Sequence, residues 1–207
     1  MPIIYPLTSI LSNKVITNRF ALISRQSISR TAGGAFLAYD FGVAIWAASY
    51  ETVKMSWDDC VDFQASLHAL EGANGIFYGW DTRRPYPRAY PTGGFVDSGT
   101  ILSLNADGKS LAFTGLPSSF GINRGDYFQV MVNGQPRLHQ MMEAAVANGS
   151  GVTVEKTAEP HFDPATTTGT AVVFANPACR MRLEPGSIQF NDQGRAIGTV
   201  SFSAIQA

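Results

Sequence analysis

One stretch of this chain, Ser56 to Gly72, carries the three-and-four spacing of an amphipathic helix, and almost everything around it reads as β-strand. Ser56 can accept hydrogen bonds from first-turn backbone N–H groups, and Asp58 and Asp59 put negative charge at the positive end of the helix dipole. Trp57, Cys60, Phe63, Leu67 and Leu70 line up as one apolar stripe, and Gly72 supplies a left-handed residue of the kind that ends helices. A lone amphipathic helix must bury its stripe, and the only partners in this sequence are sheets. The expected fold is therefore mainly β (α+β), a β-sandwich with one flanking helix spanning 56–71.

The segment after the helix, Gly79-Trp-Asp-Thr-Arg-Arg-Pro-Tyr-Pro-Arg-Ala-Tyr-Pro91, excludes both helix and central strand. Pro85, Pro87 and Pro91 donate no backbone hydrogen bond and hold the residues before them extended. Trp80, Arg83, Arg84, Tyr86, Arg88 and Tyr90 are of the types concentrated in the buried centres of protein interfaces. Three readings stand open. The rings cover the protein's own sheet while the arginines are solvated, or the loop is an inter-subunit contact, or it binds nucleic acid.

Before the helix, residues 1–20 are apolar but broken by Pro2, Pro6 and Asn13, the pattern of an arm laid along another surface. Strand signals follow at 20–28, 35–39 and 43–52, with turns at Gly33-Gly34 and Asp40 to Gly42. Beyond the glycine-rich 92–99 patch, short β segments recur at 100–104, 110–116, 126–132, 137–142, 152–157 and 170–174. Asp107-Gly108 and Asn133-Gly134 sit between apolar runs and favour tight hairpins, because both residues tolerate positive φ. Regularly spaced short strands close into a small barrel or sandwich. The last stretch, 179–207, reads as a three-stranded meander with little to pack on locally. It is expected to return to the sheet of residues 20–52. That assigns 1–94 and 179–207 to one ring-forming β-sandwich and 95–178 to an inserted β-barrel or sandwich module.

Chemistry is sparse. Charged residues make up 15% of the chain and the formal net charge is −1, too little positive charge for general phosphate neutralisation outside Arg83 to Arg88. Cys60 and Cys179 match no redox or metal spacing and read as buried free thiols. His68, His139 and His161 lack paired ligand spacing. Asp58, Asp59 and Asp62 belong to a helix start, and no G-x-S-x-G elbow or phosphate-binding glycine loop occurs. Arg124-Gly125-Asp126 reads as a turn into the strand that follows. The expectation is a protein with no cofactor, no metal and no catalytic centre. There is no signal peptide pattern and no apolar run near the ~20 residues a membrane span needs, so the product is expected to be made in the cytoplasm.

A strand ending around Ile45-Trp46, the helix end Leu67-His-Ala-Leu-Glu-Gly72 and Gly75-Ile-Phe-Tyr-Gly-Trp-Asp81 before a Pro/Arg loop together resemble the minor tail proteins of long-tailed bacteriophages. Leu116-Pro117, Arg124-Gly-Asp-Tyr-Phe128 and Arg137-Leu-His-Gln140 resemble the β module of the same proteins. Within that group the chain is most similar to distal tail proteins. The resemblance implies a virion structural protein assembled with itself as a hexameric ring that joins the tail tube to the tip or baseplate. Its implied partners are tube and hub proteins, with DNA only passing through the lumen and no membrane. A head-to-tail ring needs two different complementary patches on each subunit. The sequence nominates Trp80, Arg83, Arg84, Tyr86, Arg88 and Tyr90 for one and Ile3, Tyr5 and Leu7 of the arm for the other. Two other readings remain open. In a carbohydrate-binding module of an adsorption apparatus, Trp80, Tyr86 and Tyr90 would stack on sugars. A tail-borne cell-wall hydrolase would need a catalytic site that the sequence does not display.

Overall fold

Strands from both ends of the chain meet in one seven-stranded sheet in the computed structural model, which describes residues 10–11, 14–192, 194 and 196–207. Before the helix come β1 (Val15–Ile23), β2 (Gln26–Arg30), β3 (Phe36–Asp40), β4 (Ile45–Thr52) and β5 (Met55–Ser56), and after it β6 (Phe77–Gly79). The last third of the chain adds β15 (Cys179–Leu183), β16 (Gln189–Asp192) and β17 (Ile197–Gln206). The order across the sheet is β1-β4-β17-β15-β6, with β16 and β5 also paired to β17. The C-terminal strand thus lies antiparallel to β4, Phe202 opposite Tyr50 and Ala204 opposite Ala48. The alternation that puts Val200, Phe202 and Ala204 on the buried face of β17 meets Trp46, Ala48 and Tyr50 on that of β4.

The helix α1 (Trp57–His68) lies against β17 and β5. Ser56 caps it, its hydroxyl accepting from the Asp59 N–H at 3.2 Å. Cys60, Leu67 and Leu70 are buried and Phe63 packs against the core, where Phe63 and Phe77 both meet the ring of Phe202. The helix stops at His68, earlier than residue 71, and the turn that follows uses two left-handed residues, Glu71 and Gly72, at φ 51° and 65°.

A second, six-stranded sheet falls in sequence between β6 and β15. It comprises β7 (Thr100–Leu104), β8 (Ser110–Thr114), β10 (Tyr127–Val132), β11 (Gln135–Met141), β13 (Lys156–Glu159) and β14 (Val172–Val173), in the order β14-β10-β11-β13-β8-β7. A short pair, β9 (Gly121–Ile122) with β12 (Ala145–Val146), lies beside it. Asn133 and Gly134, both left-handed, form the two-residue turn that sets β10 against β11. This sheet has its own core around Phe113, Phe120, Phe128 and Phe174. Residues 152–155, expected to begin a strand, precede β13 as irregular chain.

The fold is mainly β with one helix among the described residues. Two expectations change. Residues 15–23 form β1, so the later part of the 1–20 stretch is a strand of the sheet and not an arm, while Ile10 and Leu11 are buried in the first core of the same subunit. Residues 26–40 do not join that sheet. Among the described residues they pair only with each other, as a two-stranded ribbon.

Candidate assembly surfaces

The loop 79–91 lies in the seam between the two sheets, held there by two buried aspartates. Asp81, whose side chain is fully buried, accepts from Arg83 Nε at 2.9 Å, Arg83 Nη2 at 3.2 Å and Arg84 Nε at 3.2 Å. The Arg84 guanidinium lies 4.3 Å from the centre of the Tyr127 ring and donates to the Tyr127 hydroxyl. Arg88 reaches the second aspartate, Asp126, through its Nε at 3.4 Å and its backbone N–H at 3.2 Å. The seam also has a dry part. Trp46 of β4 donates its indole N–H to the Leu138 carbonyl of β11 at 2.8 Å, and its ring stands edge-on to Tyr127 at 5.5 Å. Thr17 and Thr82 trade backbone and hydroxyl hydrogen bonds at 2.9 Å, pinning the start of the loop to β1.

The aromatic residues of the loop serve the same seam. Trp80 packs on the first core and its carbonyl accepts from the Tyr50 hydroxyl at 3.1 Å. Tyr90 stacks on Phe120 of the second core at 4.9 Å, using a face that a sugar ring would need, and Tyr86 meets Phe95 edge-on. Burial, with Cys179 and Asp81 nearby, pushes the Tyr50 hydroxyl well above the ordinary tyrosine range. The six loop residues are therefore brought together by contacts within the subunit. Arg83 and Arg88 keep exposed flanks. Ile3, Tyr5 and Leu7 lie outside the described residues.

The sequence reading missed Asp81 and Asp126, which organise the loop. A local signal existed for Asp81, followed at once by two arginines. For Asp126 there was none, because Arg88 becomes its neighbour only through the topology. The Arg124-Gly125-Asp126 tripeptide forms a turn into β10, with Gly125 at φ 91° and the Asn123 N–H donating to Asp126 Oδ2 at 2.7 Å. Replacing Asp81 with alanine is expected to destabilise the protein by about 2 kcal/mol. This is below the ~3–5 kcal/mol of a broken buried ion pair, because the stranded guanidinium groups are 47% and 39% exposed and water takes up part of their charge. Urea unfolding of the variant checks this value.

The most exposed apolar surface is elsewhere. The β2–β3 ribbon continues from the paired ends of β1 and β4 and extends up to roughly 25 Å from them at strand rise. Every residue of both strands is exposed, and Ile28, Phe36, Leu37, Tyr39 and Phe41 are each more than half exposed. Ile28 and Phe36 share one face, Leu37 and Tyr39 the other, so neither side of the ribbon is polar. Thr31 and Gly34 close the tip, and Arg30 lies over Phe36 at 4.5 Å. An isolated two-stranded hairpin is at best marginal in water, and contiguous exposed apolar surface of this kind marks interaction sites.

At the base of the ribbon opens a cleft of about 460 Å³ lined by Arg25, Ile45, Arg137, His161 and Asp163, with Gln206 from the first sheet. Its lining contains no hydroxyl and no thiol. His139 is buried behind it between Phe128 and Phe162, its Nδ1 donating to the Pro160 carbonyl at 2.9 Å and its Nε2 without a partner. Burial brings this histidine down to about pH 4. Among the described residues no three His, Cys, Asp or Glu side chains group as metal ligands, and both cysteines are free and buried. No helix among the described residues is long and apolar enough to cross a membrane. Compared with models of protein families and with curated protein sequences, the chain matches none, so its role has to be read from these surfaces.

Proposed function

We propose that this protein is a structural subunit of a long-tailed phage tail, a distal tail protein that assembles with itself into a hexameric ring joining the tail tube to the tip. The observation that carries the self-assembly is the bare ribbon: five large apolar side chains on a two-stranded hairpin that pairs with no other strand among the described residues. A chain that kept such a surface in water would pay for it in solubility, whereas an assembly covers it. The tail assignment rests on the sequence resemblance around Leu67 to Gly72 and Gly75 to Asp81. In this reading the 79–91 loop makes each subunit rigid, and the ribbon makes the ring.

Light scattering over a concentration series, with negative-stain images of the large species, tests the proposal. Closed rings of about six subunits are expected. A mass that stays monomeric up to the highest soluble concentration overturns it.

A further inference from the structure

The ribbon needs a surface to sit on, and the fold offers a second bare apolar patch at the opposite end of the same sheet. Ile23 pairs with Ile45 where the ribbon leaves, and Val15 pairs with Thr52 at the far end, roughly 25 Å away along β4. Just past Thr52 the chain enters β5 and α1. There Trp57 and Val61, one turn apart on the outer side of α1, and Ile197 at the start of β17 are each more than two-fifths exposed. Trp57 stands edge-on to Phe190 of β16 at 4.6 Å, which holds its ring as a fixed wall. The two ends also differ in charge. The far end carries Asp58, Asp59, Asp62 and Asp192 against Lys14 and Lys54, with Arg195 also lying in sequence between Asp192 and Ile197, whereas the ribbon carries Arg25 and Arg30 against Asp40, so the balance is negative at one end and positive at the other.

Resting on the self-assembly proposed above, we infer that the β2–β3 ribbon of one copy docks on the Trp57–Val61–Ile197 patch of the next. Because the two surfaces lie at opposite ends of one sheet, a subunit does not cover its own patch with its own ribbon. Each copy therefore presents one donor and one acceptor. Two unlike, complementary surfaces make a head-to-tail contact, which closes into a ring when the rotation between neighbours divides the circle. Apolar side chains on both faces of the ribbon fit insertion between the helix and a neighbouring element better than a flat, one-sided contact. The basic ribbon and acidic acceptor also set the polarity of the contact, since ribbon against ribbon would place Arg25 and Arg30 against their own kind.

Two variants and their mixture test the inference. Leu37→Ser with Tyr39→Ser disables the ribbon, and Trp57→Ser with Val61→Ser disables the acceptor. All four side chains are exposed, so circular dichroism and the unfolding transition of the monomer should change little. Each variant alone should lose every species above the monomer mass. Mixed, they should form a one-to-one species of twice the monomer mass that does not grow with concentration, because the pair has one intact contact and two dead ends. A mixture that stays monomeric overturns the inference, and an acceptor variant that still self-associates on its own overturns it in favour of a ribbon-to-ribbon contact. Wild-type rings that survive both sets of changes also overturn it: the ring reading then stands, and the ribbon belongs to a different protein. A wild-type chain that is monomeric throughout removes the self-assembly reading and this contact with it.

Discussion

Replacing Trp46 with alanine is expected to cost about 3–5 kcal/mol of folding free energy, the largest single-site loss we anticipate. Its side chain is 1% exposed and sits where the two sheets meet, among Phe20, Tyr127 and Leu138. Truncation removes a large buried ring, leaves a cavity at the seam and strands the Leu138 carbonyl. The loss should have a shape as well as a size. With the Trp46 contacts gone, the two cores keep the Arg84–Tyr127 and Arg88–Asp126 contacts and the Phe20–Tyr127 ring pair, so the calorimetric unfolding transition is expected to be broader than that of the wild type, or split. Trp46→Phe separates the contributions. It keeps one six-membered ring in the seam and loses the indole N–H together with the volume of the second ring, for which about 1–2 kcal/mol is expected. Equal losses for phenylalanine and alanine would show that the hydrogen bond, rather than the packing, holds the seam.

Acid should unfold the protein in part through His139. In the native state this ring stays neutral down to about pH 4, because it is enclosed by Phe128 and Phe162 and desolvation outweighs the bond to the Pro160 carbonyl. In the unfolded chain it takes up a proton near pH 6.5. Between these values the unfolded state binds the extra proton, so stability falls as pH falls. The contribution is complete above about pH 6.5, is lost progressively towards pH 4, and amounts to about 3 kcal/mol. Below pH 4 both states are protonated and this group adds no further loss. Carboxylates such as Glu143, held low by Lys156 and Thr157, titrate in both wild type and variant and cancel in a comparison. His139→Gln should therefore flatten the curve of unfolding free energy against pH between 6.5 and 4. Parallel curves for the two proteins would rule out the histidine as the acid-sensitive group.

What the sequence disclosed follows from how local each signal was. The Ser56 cap, the Cys60, Leu67 and Leu70 part of the stripe and the Asn133-Gly134 turn depend on residues within one or two turns of each other, and the structure contains them; Trp57, read as part of the same stripe, is 45% exposed instead. The return of residues 179–207 to the sheet of 20–52 was legible because the meander had little to pack on locally, and β17 pairs with β4. The ribbon was not. Phe36, Leu37 and Tyr39 put apolar side chains on both faces, the same pattern as a strand buried on both sides, and a sequence window does not register whether a neighbour is present. Which reading of the loop holds stayed open in the sequence for a related reason. Arginine and aromatic side chains signal burial and pairing, but the partners Phe120, Asp126 and Tyr127 come from segments 30 or more residues along the chain. Composition nominated the right residues and left open whose surface they cover.

The place where the second sheet joins the first has a consequence of its own. β6 ends at Gly79 and β15 begins at Cys179, and these two residues are direct antiparallel partners. The chain therefore departs and re-enters at one point, like a plug in a socket. The entropy of bringing those ends together grows only slowly with the length of what lies between. The first sheet is thus largely indifferent to the size of its insert. Through this socket a lineage could exchange one outward module for another of different shape, re-tailoring the seam while the register of β4, β17, β15 and β6 stays as it is.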